Sequence, residues 1–108
     1  MVKRVGLVVC VKQKRRTPAA AKDLYTSPLF MGRRRAVERS CDEWFVLSAL
    51  HGLLDPGQTV EPYDVTLNSM GRDERRRWAA AVVQSLQSRL GSLQGHRFEL
   101  HAGAIYRE

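Results

Sequence analysis

W-F-V-L-S-A-L, residues 44–50, is an apolar run of strand length, and it continues as H-G-L-L-D-P-G-Q-T-V-E-P-Y-D-V-T-L to residue 67. A run with so few polar interruptions is typical of a strand covered on both faces, as in a parallel sheet. His51 and Gly52 follow at the carboxyl end of this strand, where open α/β sheets place their ligands. The rest carries two turn signals, D-P-G and E-P-Y-D, with polar groups that a plain connector does not need. We therefore interpret residues 44–67 as one strand that leads into one functional loop.

Two further strands and two helices are predicted around this stretch. Residues 5–11 and 97–102 are the other strand candidates, because both are short runs rich in β-prone residues. A helix is predicted over residues 28–40, where Ser27 supplies the N-cap and Pro28 the first helical position. A longer helix is predicted over residues 71–93, with Asn68-Ser69 as its cap. Its apolar stripe is formed by Met70, Trp78, Val82, Leu86, Leu90 and Leu93.

The order β-α-β-loop-α-β predicts an α/β fold, in the form of a small three-layer α/β domain with a parallel sheet. The sheet order is expected to be 2-1-3 or its equivalent. The 108 residues are enough for a single domain, residues 1–108. Three strands leave one sheet edge uncovered. Either the chain forms a homodimer through that edge, or it is the front part of a larger fold.

The composition is that of a globular protein, with 44% hydrophobic and 27% charged residues. No apolar run approaches the roughly 18 residues needed to cross a bilayer. The run at 5–11 leads into Lys and Arg rather than a small-residue cleavage site, so it does not resemble a signal peptide. We therefore expect a cytoplasmic location and no membrane partner. Cys10 and Cys41 match no metal-ligand spacing and are expected to be free thiols.

The positive charge is concentrated in the first third of the chain. Residues 1–40 carry eleven Lys or Arg against two acids, whereas residues 41–108 carry seven against nine. Such a one-sided basic field suits a polyanion, with nucleic acid or a nucleotide as the first expectation. A solvated surface that only aids solubility is the alternative.

Functional side chains are expected where the strands end, since the carboxyl ends of parallel strands meet at one edge. Cations, an imidazole, a carboxylate and phenols would converge there and could bind a phosphorylated or planar ligand and perform acid/base chemistry on it. The groups concerned are Lys12, Lys14, Arg15 and Arg16 after the first strand, His51, Tyr63 and Asp64 after the second, and Tyr106 and Arg107 after the third.

Each of these residues also has a purely structural interpretation. His51 can be a structural hydrogen-bonding residue, Asp64 can cap its own loop, and Ser48 can be a satisfied core hydroxyl. The basic stretch lacks the Gly-rich pattern of a phosphate-binding loop. We predict no cofactor and no metal, because a zinc site built from Cys10, Cys41, His51 and His101 has no supporting spacing.

Five motifs, in order, resemble an uncharacterised bacterial and phage family catalogued as domain of unknown function six-eight-eight-four. They are V-V-C-V-K-Q-K (8–14), D-L-Y-T-S-P-L-F (23–30), L-S-A-L-H-G-L-L-D-P (47–56), E-P-Y-D-V-T-L (61–67) and A-G-A-I-Y-R-E (102–108). Val11 stands where the family pattern often has serine. More distantly, the first and third motifs resemble the YaaA-type peroxide-stress proteins and the core of archaeosine synthase. That resemblance implies DNA binding and chemistry on modified guanine.

The residues and the resemblance together predict an enzyme acting on a nucleobase or N-glycosidic bond of modified nucleic acid or a nucleotide. Lys12 would bind phosphate, Asp64 would activate water or stabilise an oxocarbenium ion, and His51 would hydrogen-bond the leaving base. The expected ligand-binding residues are Lys14, Arg16, Tyr25, Ser27, Ser48, Gly52, Tyr63, on which the base would stack, Tyr106 and Arg107. One alternative is a non-catalytic basic nucleic-acid-binding module in phage defence or DNA-modification systems. Another is a nucleotide-sensing or structural subunit.

Overall fold

The computed structural model describes residues 3–9, 14–63 and 70–101. Within these ranges the elements follow in chain order as β1 (Arg4–Val9), β2 (Ala19–Ala20), α1 (Ala21–Leu24), α2 (Pro28–Ser40), β3 (Glu43–Ser48), β4 (Gly52–Leu54), β5 (Thr59–Val60), α3 (Arg72–Leu90) and β6 (Arg97–His101).

A four-stranded sheet in the order β4-β3-β1-β6 forms the centre of the molecule. Strand β1 is parallel to β3, with Val5 opposite Glu43, and parallel to β6, with Val5 opposite Phe98. Strands β2 and β5 form a separate antiparallel pair. The prediction of an α/β fold with a largely parallel sheet is therefore confirmed.

The prediction of a wholly parallel sheet is wrong at β4, which runs antiparallel to β3 with Ser48 opposite Gly52. The chain reverses through residues 49–51, so part of the expected loop is a strand. Gly52 has a φ of +73°, a conformation that glycine adopts without steric cost and that closes tight hairpins. The Gly-Leu-Leu segment of β4 is too short for a periodic signal, because strand signals need at least about four residues.

The two faces of the sheet are covered by different helices. Val5, Leu7 and Val9 of β1 pack in one cluster with Val82 and Leu86 of α3. The intervening Val8 packs in the other cluster with residues of α2. This alternation follows from the strand geometry, in which successive side chains point to opposite faces. The sheet thus lies between α2 and α3.

Both long helices form where the sequence predicts them. Ser27 caps α2, since its hydroxyl accepts the Phe30 backbone N–H at 3.1 Å. The predicted cap of α3 at 68–69 lies outside the described residues. Its predicted apolar stripe is confirmed, because Val82 and Leu86 are buried and the other four members pack partly buried against the same cluster, namely Met70, Trp78, Leu90 and Leu93.

Strand β6 lies at one edge of the sheet as far as the described ranges extend. Phe98 and Leu100 on this strand are both 39% exposed. Self-association through this edge stays a prediction.

Candidate functional site

The carboxyl end of β3 brings together five of the residues that the sequence singles out. Strand β3 ends at Ser48, and His51 follows three residues later in the tight turn to β4. Tyr63 follows β5 and lies beside these two residues. Lys14 precedes β2, Tyr25 follows α1, and the two are joined by an antiparallel backbone bridge. The cluster formed by Lys14, Tyr25, Ser48, His51 and Tyr63 is here called the edge site.

A chain of hydroxyl groups forms the interior of the edge site. The fully buried Ser48 hydroxyl donates a hydrogen bond to the Tyr63 oxygen at 2.8 Å, and the Tyr63 and Tyr25 hydroxyls hydrogen-bond to each other. Ser48 also accepts the backbone N–H of His51 at 3.1 Å. On the other side, the indole N–H of Trp78 donates to the Ser48 carbonyl at 2.7 Å. Buried polar groups stabilise a fold only when they are paired. Here the hydrogen bonds of Ser48 connect β3 to the turn at His51, to the segment that contains Tyr63 and to α3.

Lys14 holds its positive charge against the aromatic rings. Its ammonium lies 4.5 Å from the centroid of the Tyr63 ring and 5.9 Å from that of Tyr25. Both distances are within the range of a cation–π interaction, which is worth about 0.5–1 kcal/mol at exposed sites and more where water is excluded. The cation is therefore held at the carboxyl edge of the sheet.

His51 lies at the solvent side of the cluster. Its ring stands edge-on to that of Tyr63, with the centroids 5.5 Å apart and the planes at 88°. The imidazole is exposed and lines a depression of about 160 Å³. The other lining residues are Leu54, Gln58, Thr59, Val60 and Glu61. The depression thus has an apolar floor and a rim with an amide, a hydroxyl, a carboxylate and an imidazole.

Three of the predicted ligand-binding residues have a structural role or lie apart from the cluster. Ser27 uses its hydroxyl as the α2 cap. Gly52 supplies the backbone conformation that starts β4. Arg16 is exposed in the segment before β2, two residues after Lys14. Phe30, the residue that Ser27 caps, packs its ring 4.8 Å from that of Tyr25 and so supports the edge site from α2.

Four further candidates, Lys12, Asp64, Tyr106 and Arg107, lie outside the described residues, as does Cys10. Their proposed roles stay predictions. Glu61 is the carboxylate that sequence reasoning missed. The E-P-Y-D motif contains Glu61, but only Tyr63 and Asp64 of this motif are predicted from the sequence as site residues.

Cys41 forms a separate cluster at the end of α2. It is a free thiol that donates to the carboxylate of Glu99, which also accepts a hydrogen bond from Ser40. Burial raises the pKa of the Cys41 thiol, and the Glu99 carboxylate raises it further. The same thiol and the Ser40 hydroxyl lower the pKa of Glu99. Because the thiolate is the reactive form, this arrangement makes Cys41 a poor nucleophile.

Within the described ranges, no group of three His, Cys, Asp or Glu side chains is placed to hold a metal ion. In the same part of the chain, no helix is both long and apolar enough to cross a membrane.

Comparison with known proteins identifies relatives by sequence. The chain is 36% identical over 88 residues to "Uncharacterized protein YfjM" of Bacillus subtilis (strain 168), and the alignment covers 70% of this chain and 59% of that protein. The chain thus spans less than two thirds of the length of this curated relative. No solved structure matches the chain significantly. Residues 5–108 match the Family of unknown function (DUF6884). Since this match covers almost the whole sequence, the chain belongs to that family.

Proposed function

We propose that this protein is an enzyme that acts on a nucleobase or an N-glycosidic bond of nucleic acid or a nucleotide at the edge site. The observation that carries the proposal is the position of His51. Its imidazole is exposed beside a polar-rimmed depression, while its backbone is fixed by the buried hydroxyl of Ser48. A side chain that stays accessible on a rigid support is what acid/base catalysis requires.

The edge site suggests a division of roles. Lys14 would bind a phosphate of the ligand, since its ammonium is held at the edge by the tyrosine rings. The Tyr63 ring is partly exposed. The Lys14 ammonium already covers part of this ring. A base that stacks on Tyr63 would therefore use the part of the ring that Lys14 leaves uncovered. His51 would hydrogen-bond the leaving base and supply its proton.

A carboxylate is needed to activate water or to stabilise positive charge on the sugar. Asp64 remains the candidate that the sequence suggests. Glu61 is a second candidate, because it lines the same depression as His51. An exposed carboxylate beside an imidazole can accept a proton from water while the imidazole donates one to the leaving base.

The charge distribution supports a nucleic acid or nucleotide as the ligand. Several of the basic side chains in the first third of the chain already face carboxylates, as in the ion pairs Lys3–Glu43, Arg4–Glu99 and Arg34–Asp23. The exposed cations close to the edge site are Arg15 and Arg16, which follow Lys14 directly. Among the described residues, phosphate binding would therefore depend mainly on residues 14–16, and Lys12 stays the further phosphate-binding candidate that the sequence suggests.

A base-release assay tests the proposed function. The protein would be incubated with single-stranded and duplex oligonucleotides and with nucleotides, and free bases would be detected by mass spectrometry. We expect release by the wild type and a loss of at least about 100-fold in His51→Asn, the typical size of a general-acid contribution. His96→Asn is the matched control, because the His96 imidazole accepts the Lys3 backbone N–H at 3.1 Å, a bond that asparagine can keep. If the wild type releases no base and changes the mass of no base in any of these substrates, the enzyme proposal is refuted.

A non-catalytic nucleic-acid-binding module is the second candidate, and the basic stretch at 14–16 is what favours it. In that case the protein would bind oligonucleotides without changing them. Replacing Lys14 and Arg16 by Gln should weaken binding and reduce the slope of log affinity against log salt by about 0.9 for each lost phosphate contact on duplex DNA. Replacing Arg76 and Arg77, which are exposed on α3, removes the same charge and should leave the slope nearly unchanged. Equal slopes for all variants would mean that residues 14–16 are ordinary solvated surface.

A further inference from the structure

The hairpin between β3 and β4 has an unusual tip. Residues 49–51, Ala-Leu-His, connect Ser48 to Gly52. Positions in tight turns usually carry Gly, Asn, Asp, Ser or Pro, because these residues satisfy the turn backbone or adopt its angles. Here Ala49 is 3% exposed, whereas Leu50 is 51% exposed. The tip therefore presents a large apolar side chain to water directly beside His51.

The backbone that carries Leu50 is held on both sides. Before it, the Ser48 carbonyl accepts the indole N–H of Trp78. After it, the His51 N–H is bound by the Ser48 hydroxyl, and Gly52 begins β4. Leu50 is thus fixed on a short hairpin rather than on a long loop, and its side chain is not needed to fill the core.

An aromatic ring and a cation lie near His51, the residue that directly follows Leu50. His51 contacts Tyr63, and the Lys14 ammonium lies on the Tyr63 ring. Arg15 and Arg16 continue the positive charge from there. An exposed apolar residue next to cations matches the surface of a duplex nucleic acid, which presents phosphates outside and apolar base faces inside.

We propose that Leu50 is a wedge residue that inserts into the base stack of a duplex nucleic acid while a base moves out toward His51. The proposal rests on the proposed function and names the duplex form as the substrate class. Enzymes that act on a base within a duplex must first take it out of the stack. Proteins that unstack a duplex commonly insert Phe, Leu, Ile or Met between base pairs. Leu50 has the residue type and the exposure for this role, and it adjoins the imidazole that would receive the base.

A fluorescence experiment on the full chain tests this role without requiring turnover. The probe is a short DNA duplex that contains a fluorescent adenine analogue beside a mismatch, where unstacking is easiest. Emission of the analogue rises when it leaves the stack. The same labelled strand without its complement is the comparison, because its bases can reach the protein without being separated from a duplex. Binding to both probes is measured separately by anisotropy.

We expect the wild type to bind the duplex and raise the emission. Leu50→Ala should lose the rise on the duplex, with binding to the single strand unchanged, and Leu50→Met should restore it. Leu100→Ala, which truncates another exposed leucine on β6, should behave as the wild type.

Two results would overturn the wedge role while leaving the proposed function intact: binding of the duplex by the wild type without a rise in emission, or an equal rise in Leu50→Ala. An effect of Leu50→Ala only on binding to another protein or to phospholipid vesicles would also overturn it. Failure of the wild type to bind the duplex would also overturn the wedge role, and failure to bind both probes would in addition count against nucleic acid as the substrate of the proposed function.

Discussion

Replacing Ser48 by alanine tests whether the buried hydroxyl holds the edge site together. The side chain is fully buried and makes two hydrogen bonds, to the Tyr63 hydroxyl at 2.8 Å and from the His51 backbone N–H at 3.1 Å. Alanine leaves almost the same volume but no polar atom. The His51 N–H and the Tyr63 oxygen would each lose a partner, and the Tyr63 oxygen lies where water reaches poorly.

The expected cost follows from these two bonds. Leaving a buried donor or acceptor unpaired costs about 1–3 kcal/mol. The Tyr63 hydroxyl keeps its bond to Tyr25, and His51 lies at the surface, so we expect a loss of about 1–3 kcal/mol for the whole substitution rather than for each bond. Tyr63→Phe removes the other end of the same bond. The two substitutions should therefore be non-additive, with a coupling of about 0.5–3 kcal/mol for groups in direct contact.

Urea unfolding of the wild type, the two single variants and the double variant measures both quantities. The midpoint should fall without a change in the slope, since the folded structure and the area exposed on unfolding stay the same. Ser88→Ala is the matched control, because this hydroxyl is exposed on α3 and donates to the Gln84 carbonyl of its own helix. It should change stability by less than about 0.5 kcal/mol. A similarly small effect of Ser48→Ala, or full additivity with Tyr63→Phe, would refute the coupled hydroxyl chain.

Three other substitutions test the fold and the separate thiol cluster. Gly6→Ala should lower the free energy of unfolding by about 1–3 kcal/mol, because a Cβ there would lie 2.6 Å from the Val37 Cγ1 atom. In thermal unfolding, the melting temperature should partly recover when Val37 is also replaced by alanine. No recovery would contradict the clash. Gly52→Ala should lower the free energy of unfolding by roughly 1–2 kcal/mol, because alanine does not favour the left-handed backbone at this position. A clash does not contribute, because the nearest atom to the new Cβ is at an ordinary 3.8 Å. An unchanged melting temperature would argue against this hairpin. Replacing the other cysteine by serine leaves Cys41 as the thiol that can be alkylated. Its alkylation should need a higher pH than that of a small thiol in solution, because the pKa of Cys41 is raised and the thiolate is the reactive form. Glu99→Gln should shift that pH profile downward, and an unshifted profile would mean that the carboxylate does not contribute.

The elements with strong local signals could be predicted from the sequence. Residues 5–9 and 44–47 carry no polar side chain, because both faces of β1 and β3 are covered by helices. Helix α2 begins at Pro28, as the Ser-Pro pair predicts, because a serine cap and a proline in the first position satisfy the helix start together. These features depend on neighbours in the chain and are therefore visible in a single sequence.

The antiparallel parts of the fold depend on distant neighbours and could not be predicted. Strands β2 and β5 are two residues long, and each exists only because Ala19 pairs with Val60 and Ala20 with Thr59. No periodic pattern can form in two residues. The edge site likewise depends on residues that are distant in the sequence. The residue types were identified, but the bond between Tyr25 and Tyr63 joins positions 38 residues apart, so its partners could not be assigned from spacing.

The pairing of these two distant segments is what turns a set of candidate residues into a site. The backbone N–H of Ala21 donates to the Gln58 carbonyl at 2.8 Å, and that of Lys22 donates to the Pro56 carbonyl at 2.9 Å. With the pairing of β2 and β5, these bonds join the basic segment to the segment that follows β4. The reversal of the chain at residues 49–51 is a precondition, because it directs the later segment back across the carboxyl edge of β3. The hairpin therefore places Tyr63 over Ser48, and the paired segments place Lys14 over Tyr63. A cation, a phenol and an imidazole that are far apart in the sequence meet at one edge for this reason.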